Sequence, residues 1–411
     1  MQAFRHPPSP LAIALAGLVS LGVAMGIGRF AFTPLLPIMM AEGSVTIPGA
    51  SLLASANYLG YLLGALACTF QPWLARRLGW PPGVNAPRMV RASLVATVLL
   101  TLGMALHLPG AWPALRFAAG VGSAVAFLYT SSWCLEQLAH RDEPAMGALI
   151  YVGPGAGIVA SGLAASGLVA VGAQASVGWL TFALLAVLLT ALAWKVFDSR
   201  GAVAAEALSP AASVGTPAAT LAGATETSAL AFAYGLAGMG YIVTATFLPV
   251  IARQALPGSP WLDLFWPLFG GGVMAGAVLA SRLRSAGDLR VRLAACYAIQ
   301  AVGVAASLVS PTLAGFAVGS LLLGLPFTTI TFFAMQEARR LRPGSAPSFM
   351  GLLTAMYGLG QIAGPPLAAW LVARSGNAAR GFTWSLWIAS ATLAAGSVLY
   401  LGLARAYPAR R

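Results

Sequence analysis

The sequence predicts an all-α membrane protein of twelve transmembrane helices in two parallel six-helix halves. Three observations predict it. Of the 411 residues, 59% are hydrophobic and only 8% charged, against about 25% charged in a soluble globular protein. Twelve apolar runs share the 411 residues, which leaves room in each for a helix of about 20 residues and a short loop. The two halves of the chain also match each other at an offset of 212 residues. This composition excludes a soluble enzyme, a nucleic-acid-binding domain and a disordered chain as readings of the whole protein.

The spans fall near residues 11–38, 48–71, 89–107, 111–136, 145–171, 177–197, 228–252, 260–281, 291–309, 312–336, 348–372 and 383–404. The first run, from Leu11 to near Met40, exceeds a signal-peptide core of about 7–15 residues and reads as a retained span. Turn chemistry separates several spans, at Pro81-Pro82-Gly83, Pro109-Gly110, Pro257-Gly258 and Pro343-Gly344. The chain divides into an N-terminal half (1–197), a linker (198–227) and a C-terminal half (228–411). The linker is rich in Ala, Ser, Thr, Gly and Pro and reads as a flexible connection.

The net charge of +13 comes from 23 basic and 10 acidic residues, and it sits between the apolar runs. With the N-terminus inside, 18 basic residues lie on the inner side and 3, Arg253, Arg374 and Arg380, on the outer. That asymmetry places both termini in the cytoplasm. Cys68, Cys134 and Cys296 lie in separate apolar runs, and His6, His107 and His140 are also scattered. No disulfide or metal spacing is present, and no cofactor motif is legible.

The internal repeat aligns GIGRFAFTPLLPI, from Gly26, with GMGYIVTATFLPV, from Gly238. Gly60 and Gly64 in span 2 meet Gly272 and Gly276 in span 8 at the same offset. An even number of spans per repeat makes the repeats parallel. The small-xxx-small pairs, including Gly22 and Gly26, suit close helix packing better than substrate contact.

Twelve spans, parallel halves, a basic loop after span 2 and a central linker resemble the major facilitator superfamily. In span 4, RFAAGVGSA from Arg116 resembles the superfamily's R-x-x-x-G-x-G pattern, with Ala119 where Gln is usual. In span 5, GPGAG at Gly153–Gly157 resembles an antiporter signature and tilts the reading toward export. The loop after span 2 keeps Arg76-Arg77 but lacks the expected aspartate. More narrowly, GIGRFAFTPLLP and ASANYLGYLLGAL look like the YbfB/YjiJ-type branch of bacterial facilitators. The resemblance implies a multi-pass protein of the bacterial cytoplasmic membrane that works as a monomer. It also implies that spans 1, 4, 7 and 10 line a central cavity.

Arg29 in span 1 and Arg116 in span 4 are charges within the membrane, each costing about 2.5–3.5 kcal/mol at the bilayer centre unless compensated. Both reach similar depth, so two arginines on one cavity would attract an anion, best of all a carboxylate held by two hydrogen bonds. Asn57, Tyr58, Tyr129, Tyr241, Tyr357, Gln300 and Gln361 are further intramembrane polar groups, and Tyr241 occupies the repeat position of Arg29. Except for Gln300, these join the two arginines as expected substrate-binding residues.

Asp263 is the candidate for proton coupling, placed in the first turn of the eighth helix. Glu136 and Glu337 end spans 4 and 10 at matching inner positions. They are expected to form gating latches, Glu136 with Arg76 or Arg77 and Glu337 with Arg282 or Arg284.

No phosphate-binding G-x-x-x-x-G-K-[ST] loop, H-E-x-x-H or G-x-S-x-G is present, which argues against an ATP-driven pump or a hydrolase. The reading is a non-enzymatic secondary active transporter. It moves a small organic, anionic solute by alternating access, with protons as coupling ion and the direction open. Its partners are that solute and the lipid bilayer, not nucleic acid. The rivals are efflux of amphipathic neutral or cationic compounds and a transport-inactive membrane sensor.

Overall fold

A computed structural model describes residues 8–79, 84–197, 223–259, 261–283, 287–342 and 346–408. No strand occurs among them. Twelve helical rods follow one another: α1 (Pro10–Ala41), α2 (Ile47–Leu78), α3 (Ala86–Gly103), α4 (Pro109–Ala139), α5 (Pro144–Ala170), α6 (Ala175–Trp194), α7 (Ala224–Ala255), α8 (Leu262–Arg282), α9 (Leu289–Val309), α10 (Leu313–Leu341), α11 (Ala346–Ser375) and α12 (Ala378–Ala406).

Among the described residues, eleven rods are long and apolar enough to cross a membrane. The other, α11, has 30 residues, but Gln361 and the prolines Pro365 and Pro366 lower its apolar character. Of the expected linker, residues 198–222 lie outside the described residues. Its last four, Ala224–Thr227, are the first turn of α7.

Side-chain caps start many rods. Ser9, Thr46, Asn85, Asp288, Thr312 and Asn377 each accept a hydrogen bond from a backbone N–H of the following turn. Such caps satisfy donors that a helix start leaves free.

The rods pack through their glycines, and the repeat shows in which rods meet. In the first half, a β-carbon on Gly60 of α2 would stand 2.0 Å from the Phe117 carbonyl oxygen of α4. In the second, one on Gly276 of α8 would stand 1.7 Å from the Leu325 carbonyl oxygen of α10. Gly26 of α1 meets Gly157 of α5, and its repeat counterpart Gly238 of α7 meets the Tyr357 carbonyl of α11. Without a hydrophobic drive between helices in lipid, only backbones this close gain enough dispersion contact.

GPGAG in α5 is part of this scheme. Gly153 and Gly157 face α1, while Gly155 faces Gly270 and Met274 of α8. The halves meet at α5 with α8, at α2 with α11, and at α1 with α7.

Among the described residues α1, α5 and α10 are broken, α5 by a turn at Tyr151 and Val152. In α1 the helix widens to a π segment at Gly22–Ile27, passes through a turn at residues 28–31, and resumes at Phe32–Ala41. Three glycines loosen this stretch, and Pro34 and Pro37 withhold two backbone donors. In α10 the break falls at Leu325 and Pro326, where the proline ring excludes the preceding carbonyl. By contrast α7, the repeat of α1, is helical throughout and buried along most of its length.

The packing account makes a direct prediction. Gly60→Ala and Gly276→Ala should each destabilise by about 1–3 kcal/mol through overpacking, read as a lower midpoint of thermal unfolding in detergent. At Gly271 a β-carbon would meet nothing within 4 Å, so alanine should be accepted there without loss.

Candidate functional site

The break in α1 presents Arg29 from a non-helical turn. In hydrocarbon the carbonyls freed by such a break need donors. Helix α4 supplies them: Arg116 donates from Nη1 to the Gly28 carbonyl at 3.2 Å and from Nη2 to the Arg29 carbonyl at 2.8 Å. Ser123 Oγ reaches the Ala24 carbonyl at 2.8 Å. Asn57 Nδ2 in turn donates to the Arg116 carbonyl at 2.9 Å. Arg116 is 2% exposed and both its terminal nitrogens serve the α1 backbone. Expected beside Arg29, it here holds the turn that carries Arg29. The break in α1, invisible in the residue pattern, is the reason.

Arg29 is 3% exposed. Its Nη2 donates to Gln361 Oε1 of α11 at 2.8 Å, and Gln361 Nε2 donates to the Tyr241 hydroxyl of α7. The guanidinium carbon lies 3.9 Å from the Tyr61 ring centre, 5.3 Å from Phe30 and 5.5 Å from Tyr58. Among the described residues no carboxylate pairs with Arg29 or Arg116. The Arg29 Nε is buried without a hydrogen-bond partner.

Rings continue into the second half. Tyr357 stacks on Tyr241 at 5.9 Å and on Tyr234 at 4.8 Å. Phe327, just past the α10 break, meets Tyr241 at 5.1 Å and Phe30 at 5.9 Å. Three more bonds stitch the halves at this level. Thr33 Oγ1 donates to the Ala245 carbonyl at 2.9 Å, Tyr58 and Thr246 share a hydroxyl bond at 2.9 Å, and Ser55 Oγ donates to the Ile362 carbonyl at 3.1 Å. Thr33 and Ala245 are repeat counterparts, 212 positions apart, so this bond marks the axis between the halves.

Of the expected binding residues, Arg29, Tyr58, Tyr241, Tyr357 and Gln361 come together here. Asn57 stands behind them, supporting α4. Tyr129 lies thirteen residues beyond Arg116 in α4, about 20 Å along the helix, and joins none of these bonds or ring contacts. Gln300 is buried in α9 and donates to the Leu323 carbonyl at 3.0 Å, close to the α10 break. Tyr61, Phe30, Phe327 and Thr246 belong to the cluster and are additions to the expected set. Tyr61 lies in the sequence one helical turn from Asn57 and Tyr58, and a helical-face reading of α2 would find it.

The expected latch pairs are not formed among the described residues. Glu136 is not paired with Arg76 or Arg77; its side chain is 42% exposed and its ion-pair contact is His140, at 3.8 Å. Arg76 and Arg77 are exposed, and Arg77 lies over Trp73 at 5.0 Å. Glu337 does not meet Arg282, which is exposed; Arg284 lies outside the described residues. Glu337 instead binds Arg340 at 2.6 Å and Arg290 at 3.5 Å.

Arg290, 1% exposed, also pairs with Glu226 at 2.9 Å and Asp288 at 3.1 Å. It donates as well to the Leu403 and Tyr407 carbonyls. Sitting in the first turn of α9 rather than at the end of α8, it reaches α7, α10 and α12 together. Burial pushes the Asp288 carboxyl up, but hydrogen bonds from the Arg290 side chain and backbone, with the charges of Arg290 and Arg340, outweigh that and hold it below the usual value.

Asp263 lies in the first turn of α8, the 3₁₀ segment Leu262–Leu264. It is held in an ion pair by Arg253, and its carbonyl accepts from Ser166 of α5 at 3.2 Å.

Removing the Arg290 charge leaves Glu226 buried without a cation, and Glu337 with Arg340 alone. Arg290→Met should therefore cost about 3–5 kcal/mol, read as a large fall in the unfolding midpoint. Asp288 has a folded pKa below its unfolded one, so its contribution is present above about pH 4 and lost as pH falls through the folded value. Asp288→Asn should flatten that acid limb of the stability curve.

A family model described as an uncharacterised MFS-type transporter, YbfB, matches residues 21–401. The chain belongs to this family of major facilitator transporters. No curated protein matches it.

Proposed function

We propose that this family member is a secondary active transporter of a small organic solute carrying one carboxylate, moved by alternating access with Arg29 as the binding cation. Membrane transport itself, of a small molecule, follows from the family. One observation carries the finer reading. A buried guanidinium sits between the two halves, bonded to a neutral amide and faced by rings, with no carboxylate beside it among the described residues.

An anion arriving from one side would take the place of the Gln361 oxygen, because a charged acceptor binds a guanidinium about twice as strongly as a neutral one. Since Arg29 is on α1 and Gln361 on α11, that exchange alters a bond between the halves. Rocking of one half about the other then exposes the site to the opposite side. In this reading Arg116 is a support for the α1 turn. The division into halves at 1–197 and 228–411 and proton coupling in either direction belong to the proposal.

Efflux of amphipathic cations is the rival that one observation favours, the aromatic wall; the Arg29 charge opposes it. Arg29→Gln should weaken carboxylate binding by about thirtyfold or more, the effect of removing one side of a buried charge pair. A thermal-shift comparison of carboxylates, amines and sugars on both proteins measures it. Equal stabilisation of both by a carboxylate would overturn the reading. Uptake into proteoliposomes with and without an imposed pH gradient tests the coupling.

A further inference from the structure

The Arg29 site holds more than a charge. Its walls decide what the rest of the solute must be. Phe30, Tyr58 and Tyr61 face the guanidinium from the first half. Tyr241, Tyr357 and Phe327 answer from the second, and Phe327 touches Phe30 to close the ring contacts across the axis. A solute bound between the halves at Arg29 is therefore flanked by π faces on both sides.

The polar groups limit the solute further. The Arg116 terminal nitrogens are both committed to carbonyls, so one guanidinium remains and a second negative charge would have no partner. No carboxylate stands by Arg29 among the described residues to receive an ammonium group. The hydroxyls of Tyr58 and Tyr241 already bond Thr246 and Gln361, which leaves little for a polyhydroxylated acid. The buried, unpartnered Arg29 Nε is a free donor in the plane where a carboxylate would dock with two bonds.

We infer that the solute is a planar aromatic monocarboxylate, its carboxylate on Arg29 and its ring among the aromatic side chains of α1, α2, α7, α10 and α11. The inference rests on the reading of Arg29 as the anion-binding residue. Tyr61 covers the guanidinium, and the ring of the solute takes over that contact when bound. Dicarboxylates, amino acids and sugar acids are disfavoured for the reasons given.

The test uses the full-length protein in lipid nanodiscs, with labelled benzoate and labelled cyclohexanecarboxylate as parallel probes. They share charge and carbon number and differ in the π face. Benzoate should bind at least about fivefold more tightly, the scale of one aromatic contact. Phthalate, phenylalanine and benzylamine should compete poorly. Tyr61→Leu should reduce the ratio between the two acids, and Tyr357→Leu carries the same comparison if that variant fails to fold.

Equal binding of the two acids, lost in Arg29→Gln, would overturn the aromatic claim and leave the anion reading intact. So would binding of cyclohexanecarboxylate alone. Binding of neither acid, or of benzylamine in their place, would overturn both.

Discussion

A positive charge buried at the contact between two helical bundles, with no negative one beside it among the described residues, is the constraint on which this molecule depends. Its local surroundings follow from it. The guanidinium of Arg29 is stabilised piecemeal, by the Gln361 amide oxygen and by the faces of Tyr61, Phe30 and Tyr58. Each such contact is worth less than a carboxylate would be. The guanidinium therefore rests on neutral partners among the described residues. The backbone that carries it must leave the helix to do so, and the carbonyls this frees are met by Arg116 and Ser123 of α4. The two intramembrane arginines thus divide the work: one carries an uncompensated charge and the other makes its position possible.

The frame around this site is set by small residues. Glycines at repeat-related positions let α2 approach α4 and α8 approach α10 to backbone contact. The same holds for α1 with α5 and α7 with α11. These are contacts of shape, with no directional bonds to break, so they suit bundles that keep their own packing while shifting against each other. The bonds that do cross between the halves are few and single, such as Thr33 to Ala245 and Ser55 to Ile362.

Much of this frame is legible in the residue pattern. Hydropathy and arginine alternation locate all twelve rods to within a few residues in most cases, because in a bilayer composition and length constrain a helix strongly. The glycine offset foretells which faces pack. Arg29, Tyr58, Tyr241, Tyr357 and Gln361 stand out as a group from polarity within apolar runs, and they do converge. What is not legible depends on local backbone geometry. The widening of α1 turns Arg116 from a neighbour of the ligand into a brace, and no periodicity announces a π segment. Tyr61 escapes notice because a tyrosine in a membrane span is ordinarily a packing residue. Nearness in sequence pairs the inner acids with the basic loops. Burial instead selects Arg290 for Glu337, since only a residue within the first turn of α9 reaches three other rods at once.

That Arg290 cluster makes the two bundles mechanically unlike. At the base of the second, α7, α9, α10 and α12 are bolted together by ionic and carbonyl contacts to one side chain. At the matching place in the first, Glu136 lies at the surface beside His140. The two bundles, alike in residue pattern, are thus fastened differently at these matching places.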